Sequence, residues 1–284
     1  IIVFLDGDYS DHPEELQALV QPIIENDVDL LWIGARSAVS PFIMQEIAEA
    51  LEGTDKIVLV KNPVNPDLAL WLGGIERLYS KGIKKLGAIH RGFSAYGIST
   101  YRNKPMWEIP IELKRLYPNL PLICDPSHIG GKRDMIESIS QKAMDLTFDG
   151  LMIESHHTPD DAWSDAQQQV TPDTLQQIME NIIIRDAEFS TNTLLELNSL
   201  RAKIDSLDEV ILDTIAKRME LIELIGVLKK AQNIPILQVE RWNAIIETFS
   251  ELAQELGLSD KFISEFLNAI HTESIRKQTV IMNK

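Results

Sequence analysis

The chain has 284 residues, of which 44% are hydrophobic and 25% are charged, and its formal net charge is −16. This length and composition predict about two ordinary globular domains. The negative charge argues against nucleic acid or an anionic membrane as a partner, because both would repel the chain. The sequence has no apolar run of membrane-spanning length and no leader-like segment, and its single cysteine, Cys124, fits a reducing compartment. These features together predict a cytoplasmic protein.

Residues 1–186 alternate short apolar runs with amphipathic segments, which predicts a parallel sheet with helical crossovers. The strand-like runs are IIVFLD (1–6), DLLWIGA (29–35), KIVLVK (56–61), KLGAIH (85–90), PLICDP (121–126) and GLMIES (150–155). Their continuous apolar character is typical of strands that are buried on both faces. A (β/α)₈ barrel needs about two more units than these six, so we expect an incomplete barrel of α/β class.

The sequence pattern of residues 187–284 predicts a separate, all-helical domain. No proline and only one glycine, Gly226, interrupt residues 193–231. A helix of that length would extend ~58 Å, which is too long to bury its apolar stripe inside one small domain. Two further helices are predicted over 238–256 and 260–281, on either side of a Gly-Leu-Ser-Asp turn.

A seam of residues spaced by four and three runs along the long helix, and such a seam normally contains apolar residues throughout. Its members are Leu197, Arg201, Ile204, Asp208, Ile211, Ile215, Arg218, Ile222, Ile225 and Lys229. Arg218 and Lys229 are about three turns apart and project from the same side. A buried cation without a partner costs several kcal/mol. These cations therefore either extend to solvent or bind an anion in a polar cavity.

The predicted third helix favours the polar cavity, since Ser274 and Gln278 lie one turn apart on its apolar side. Arg241 stands at the start of the second helix. The motifs LNSLRAKIDSLDEVILDTIAKRMELIELIGVLKK, ILQVERWNAII and IHTESIRKQ resemble the all-helical (type II) chorismate mutase family over residues 194–284. The resemblance implies a three-helix domain that forms an intertwined homodimer and converts chorismate to prephenate without a cofactor.

The same resemblance assigns roles to the seam cations. It implies that Arg218, together with Arg201 from the partner protomer, holds the two carboxylates of chorismate. Lys229 would bind the ether oxygen and a carboxylate, and Gln278 would bind the same ether oxygen. This rearrangement requires no acid, base or metal, because catalysis consists of holding the reactive conformer and stabilising charge on the ether oxygen.

Two further residues, Arg241 and Ser274, match other substrate-contacting positions of the mutase family. The chain also departs from the family at two places. Gln238 and Trp242 stand where the family often has acids, and this leaves the contact to the substrate hydroxyl open.

The first half of the chain has a second cluster of functional groups. Cations follow three successive strands, at Arg36, Lys61 and Arg91. Because parallel strands end on one face, these cations are expected to converge there, and they suit a phosphate. Further along the chain, His128, Glu154 and Asp165 form a plausible set of ligands for a divalent metal.

These motifs, from IGAR through CDPSHIGGKR and MIESHH to AWSDAQQQ, resemble the short-barrel 3-deoxy-D-arabino-heptulosonate 7-phosphate (DAHP) synthases over residues 29–185. The resemblance implies that the three cations hold the phosphate of phosphoenolpyruvate. It also implies that His128, Glu154 and Asp165 bind Mn²⁺ or a similar ion, which activates the aldehyde of erythrose 4-phosphate. Asp125 and His90 match positions near the reacting groups.

The DAHP synthase pattern is incomplete in this chain. The GPCS-type segment, whose cysteine is the fourth metal ligand, and the KPRT-type segment, which grips both substrates, do not occur. In their place residues 1–28 resemble the D-x-D strand of family-2 glycosyltransferases, with Asp6 and Asp8 as the acids. We therefore expect three regions, namely a strand-helix fragment over 1–28, part of a barrel over 29–186, and a mutase domain over 187–284.

Three functional hypotheses follow from these motifs. The first is a chorismate mutase fused to a DAHP synthase-like barrel whose own activity is impaired. The second is a fully active bifunctional enzyme. In the third, the barrel has no catalytic role and acts as a binding or regulatory module.

Overall fold

The computed structural model describes residues 2–5, 28–97, 99–185 and 190–283, and for residues 2–5 it describes the backbone alone. The chain divides into two units, residues 1–186 and 187–284. Asp6 and Asp8, and the helix expected between the first two strands, lie outside the described residues.

One parallel sheet forms the centre of the first unit. Its strands are β1 (Ile2–Leu5), β2 (Leu30–Ile33), β3 (Ile57–Lys61), β4 (Leu86–His90), β5 (Leu122–Cys124) and β6 (Gly150–Leu151). Their order in space is their order in the chain, and each pairs in parallel with the next. The predicted sheet of six strands is thus confirmed. This sequential order is that of a barrel wall, whereas the strand order of a doubly wound sheet reverses.

Helices connect these strands. They are α1 (Ala35–Ala38), α2 (Pro41–Ala50), α3 (Leu68–Ser80), α4 (Glu108–Leu116), α5 (Pro126–Gly130), α6 (Ile136–Asp145) and α7 (Pro172–Asn181). Side chains that can accept a hydrogen bond begin several of them: Asp67 Oδ1 accepts from the Leu70 amide at 2.9 Å, and Thr171 Oγ1 accepts from the Thr174 amide at 3.1 Å. Such caps satisfy amides that have no partner inside the helix.

The core of the first unit lies between the sheet and these helices. Leu31 and Ile33 of β2 and Val58 and Val60 of β3 are fully buried on one face of the sheet. Trp32 and Leu59, which alternate with them, are only partly buried. The buried Trp71 of α3 covers the fully buried face, and its indole nitrogen donates to the Val60 carbonyl oxygen at 3.1 Å. This packing fixes the carboxyl ends of the strands, where the candidate site lies.

Three helices make up the second unit, as predicted. They are α8 (Thr191–Ala231, 41 residues), α9 (Val239–Glu255) and α10 (Asp260–Met282). At 1.5 Å per residue α8 extends ~60 Å. Ser190 and Ser259 cap α8 and α10 by accepting hydrogen bonds from the amides of Thr193 and Phe262, both at 3.2 Å.

The two halves of α8 differ in their surroundings. The carboxyl-terminal half packs against α10, and a Cβ added at Gly226 would lie 3.4 Å from the Cα of Gln278. A glycine therefore permits the close approach of the two helices. In contrast, every residue from 198 to 214 is exposed. The exposed apolar residues of this half include Leu200, Ile204, Leu207, Val210, Ile211 and Leu212, each between 50% and 67% exposed.

Among the helices that the structure describes, none has the length and apolar character that crossing a bilayer requires.

Candidate active sites

A cavity of about 100 Å³ lies at the carboxyl ends of the strands in the first unit. Its lining residues are Gly34, Ala35, Arg36, Lys61, Val64, Arg91, Arg102, His128 and Asp165. The structure thus brings together the three predicted phosphate-binding cations and two of the three predicted metal ligands. One detail differs from the expectation: β2 ends at Ile33, and Arg36 lies in the short helix α1 that follows.

A buried ion pair supports the base of this cavity. Lys61 Nζ lies 2.9 Å from Asp125 Oδ2, with side chains only 5% and 1% exposed. Asp125 also binds Nδ1 of His128 at 2.8 Å and accepts from the His128 amide at 3.0 Å. Burial alone would raise the pKa of Asp125, but the hydrogen bond from His128 and the charge of Lys61 lower it below its usual value. Asp125 therefore stays ionised and holds Lys61 and His128 in place.

His128, Glu154 and Asp165 offer ligand atoms that all lie within 4.8 Å of one another. Nδ1 of His128 lies 2.8 Å from Asp125 Oδ2 and 3.4 Å from Glu154 Oε1, so Asp125 orients the imidazole beside one of the two carboxylates. Glu154 is held by Gln168, whose Nε2 donates to Glu154 Oε2 at 3.0 Å. One imidazole and two carboxylates suit a divalent transition metal, so this donor set fits the implied ion.

Three residues at this site were missed by the sequence analysis. Arg102 Nη1 lies 2.7 Å from Asp165 Oδ1 and 2.6 Å from Gln168 Oε1. Asn103 accepts from Arg91 Nη1 at 2.8 Å and donates to the His128 carbonyl oxygen at 2.7 Å. Arg102 and Asn103 lie in the loop after β4, and the third missed residue is Gln168. The contacts of all three depend on the folded arrangement of distant segments, although YRNKP does place an arginine among turn-forming residues.

His90 is not one of the cavity-lining residues. Its ring is completely buried among Phe93, Trp107 and Phe148, at centroid distances of 5.6, 5.3 and 6.1 Å. Burial lowers the pKa of His90 to about 3, so the ring is neutral at neutral pH. The structure therefore places His90 in the aromatic core behind the site.

In the second unit, α8 and α10 bring the predicted mutase residues together. Arg218 Nη1 donates to Ser274 Oγ at 2.8 Å. Lys229 is 9% exposed and donates to the Ile236 carbonyl oxygen at 2.6 Å. Gln278 is 6% exposed, and its buried Oε1 has no hydrogen-bond partner among the described residues. Buried polar atoms normally have a partner, so this unpaired amide oxygen indicates a place for a polar ligand.

Two predicted mutase residues are exposed in a single chain. Arg201 is exposed on α8, where its side chain donates to Asn198 Oδ1 at 3.4 Å. It precedes Arg218 by about five turns, ~25 Å along the helix, so it does not reach the Arg218 pocket of its own chain. Arg241 is also exposed, on the first turn of α9.

An aromatic pair that the sequence pattern does not predict lies next to the mutase residues. Trp242 of α9 stacks on His271 of α10, with ring centroids 3.9 Å apart and an interplanar angle of 16°. His271 lies three residues before Ser274 and is therefore on the same face of α10.

Comparison with known proteins agrees with this division of the chain. The family model of the DAHP synthetase I family matches residues 15–190, and the model described as chorismate mutase type II matches residues 200–279. Residues 6–27 are outside the described structure, but the first match includes much of that segment.

Individual relatives match one unit or the other. A phospho-2-dehydro-3-deoxyheptonate aldolase of Thermotoga maritima is 26% identical over 161 residues, which cover 57% of this chain and 46% of the relative. A 4-amino-4-deoxychorismate mutase of Streptomyces venezuelae is 30% identical over 89 residues, covering 31% of this chain and 86% of the relative. The chain thus spans less than half the length of the aldolase.

Among solved structures, the DAHP synthase of Thermotoga maritima matches with a TM-score of 0.53 and 23% identity, covering 63% of this chain and 48% of the other. At that identity the match concerns the fold. The chain belongs to the DAHP synthetase I family and has a type II chorismate mutase domain fused after the barrel-like unit.

Proposed function

We propose that the second unit, residues 187–284, is a chorismate mutase. The observation that carries this proposal is the group of Arg218, Lys229 and Gln278, which lies half-buried to buried between α8 and α10. Buried cations on a mainly apolar seam need an anion, and the free Oε1 of Gln278 needs a partner. A compact dianion with an ether oxygen meets both needs.

The reaction is an intramolecular rearrangement in which the ether C–O bond breaks while a C–C bond forms. No atom or proton enters or leaves, so the chain has only to hold the folded conformer and stabilise charge on the ether oxygen. Arg218 suits a carboxylate because its guanidinium binds two oxygens at once, and Lys229 suits the ether oxygen because its ammonium is a point charge. No cofactor is needed for this step.

We further propose that the mutase works as a homodimer. Seventeen consecutive exposed residues, 198–214, carry leucine, isoleucine and valine side chains that a single chain does not cover. A second copy would bury this face, as coiled-coil seams require. It would also bring its own Arg201 to the pocket that the first chain's Arg201 does not reach.

For the first unit we propose a site of DAHP synthase type, with Arg36, Lys61 and Arg91 holding the phosphate of phosphoenolpyruvate. His128, Glu154 and Asp165 would bind a divalent ion such as Mn²⁺, which polarises the carbonyl oxygen of erythrose 4-phosphate when bound. The methylene carbon of phosphoenolpyruvate would attack that aldehyde. Water would add to the carbon that carries the phosphate, and phosphate would then leave.

The mutase proposal is tested by adding chorismate to the purified chain and following the formation of prephenate. Lys229→Ala should abolish turnover, whereas Lys230→Ala is the matched control. Lys230 is exposed on the same helix, and its ammonium contacts only the Ile281 carbonyl oxygen, at 3.3 Å. A chain that makes no prephenate, or a Lys229→Ala variant with an unchanged rate, would overturn the proposal.

A further inference from the structure

His271 extends the polar row of α10 by one turn. It precedes Ser274 by three residues and Gln278 by seven, and these spacings put all three side chains on one face of the helix. Ser274 bonds Arg218, and Arg218 in turn acts on His271, since its charge helps to lower the pKa of the imidazole. His271 therefore lies beside the carboxylate-binding arginine of the proposed pocket.

Trp242 fixes the orientation of this imidazole. The two rings are nearly parallel at a centroid distance of 3.9 Å, so the indole covers one face of the histidine. With one face of the ring covered, its edge, where the two nitrogens are, remains available to hydrogen-bond a ligand. Partial burial and the Arg218 charge lower the pKa of His271, which keeps the ring neutral, with one donor and one acceptor nitrogen.

The proposed substrate has four polar groups, and three of them already have partners. Cations serve the two carboxylates, and Lys229 and Gln278 serve the ether oxygen. The ring hydroxyl is left without an acidic partner, because Gln238 and Trp242 stand where the family often has acids. We propose that His271, held by Trp242, is the residue that hydrogen-bonds the ring hydroxyl of chorismate and so positions its ring. This inference rests on the proposed mutase function and deepens it.

The test compares chorismate with an analogue that lacks the ring hydroxyl. In the wild-type chain both compounds should rearrange. His271→Ala should lower kcat/KM for chorismate by about tenfold, which is the size expected for one lost hydrogen bond, mainly through KM. The same variant should change the value for the analogue by less than about twofold, because that compound offers nothing for His271 to bind.

Two further variants separate hydrogen bonding from packing. His271→Gln keeps a donor and an acceptor and should recover most of the loss seen with His271→Ala. Trp242→Phe keeps an aromatic surface against the imidazole and should act more mildly than Trp242→Ala. Equal losses for chorismate and the analogue, or an unchanged His271→Ala variant, would overturn the proposal while leaving the mutase function intact. If the wild-type chain rearranges neither compound, the proposed function itself fails.

Discussion

Arg218 Nη1 donates a 2.8 Å hydrogen bond to Ser274 Oγ and so joins the long helix α8 to α10 at the proposed mutase pocket. Ser274 Oγ in turn donates to the Ile270 carbonyl oxygen at 2.7 Å, which fixes the position of the hydroxyl. Burial opposes the charge of Arg218 and lowers the pKa of the guanidinium. A cation held in this way is ready to bind a carboxylate.

Replacing the guanidinium should remove most of the mutase activity. For Arg218→Ala we expect a loss in kcat/KM of roughly 100-fold or more, about 3 kcal/mol, because a charge-assisted contact to the substrate disappears. Arg218→Lys should recover only part of it, since an ammonium cannot bind two oxygens at once. Lys217→Ala is the matched control, because Lys217 pairs with Asp213 on the exposed side of α8 at 2.6 Å. Equal rates for Arg218→Ala and Lys217→Ala would contradict the assignment.

The stability of the first unit should fall in mild acid because of His90. Its pKa in the folded chain is lowered to about 3 by burial, whereas in the unfolded chain it returns to about 6.5. Between these values the unfolded state binds the extra proton, so stability is complete above pH ~6.5 and decreases as the pH falls toward 3. Urea unfolding followed by tryptophan fluorescence at pH 7.5 and pH 4.5 measures the difference.

His90→Phe serves as the control for this effect, since phenylalanine is aromatic like the surrounding rings and cannot take up a proton. The variant should lose less stability than the wild-type chain between the two pH values. An identical loss in both proteins would show that His90 does not cause the acid sensitivity.

The barrel-like unit should bind a divalent ion through His128, Glu154 and Asp165. Calorimetric titration with Mn²⁺ should show one site, and Glu154→Gln should weaken it at least about tenfold by removing a charged ligand. Asp160→Asn is the control, because Asp160 is an exposed acid that pairs with Arg133 at 2.6 Å. If the two variants bind Mn²⁺ equally, the three residues are not the ligands.

Charges introduced on the uncovered half of α8 should break the dimer. Ile204 and Ile211 are 55% and 50% exposed in the single chain and lie two turns apart on the seam. Ile204→Asp combined with Ile211→Asp would bury unpaired carboxylates at the interface, which costs several kcal/mol. Sedimentation velocity at micromolar concentration should show a dimer for the wild-type chain and a monomer for the variant. A wild-type monomer would contradict the two-chain pocket.

Local patterns predicted the elements of both units. The apolar runs around Leu31 and Val58 identified buried parallel strands, and the length of the unbroken helix indicated a surface that a single chain does not cover. Strand ends also predicted the cluster of Lys61 and Arg91, because topology alone brings them to one face.

Contacts between distant segments were harder to predict. Arg102 reaches Asp165 only because the loop after β4 folds back through the Phe93–Lys104 bridge. His271 carries no signal in IHTESIRKQ until α9 places Trp242 against it. His90 ends an apolar strand, as the site residue Lys61 does, yet its side chain is buried in the aromatic core and does not line the cavity. Packing decides between these two orientations, and the strand pattern does not show it.

The two-chain mutase pocket can be tested most directly by subunit complementation. Arg201→Ala and Arg218→Ala should each be inactive, since every site in either homodimer lacks one arginine. When the two variants are unfolded and refolded together in equal amounts, half of the dimers are mixed, and one site of each mixed dimer regains both arginines. About a quarter of the wild-type rate should therefore return. If mixed dimers form and no activity returns, Arg201 of one protomer and Arg218 of the other do not share a site. The claim of a two-chain pocket is then wrong.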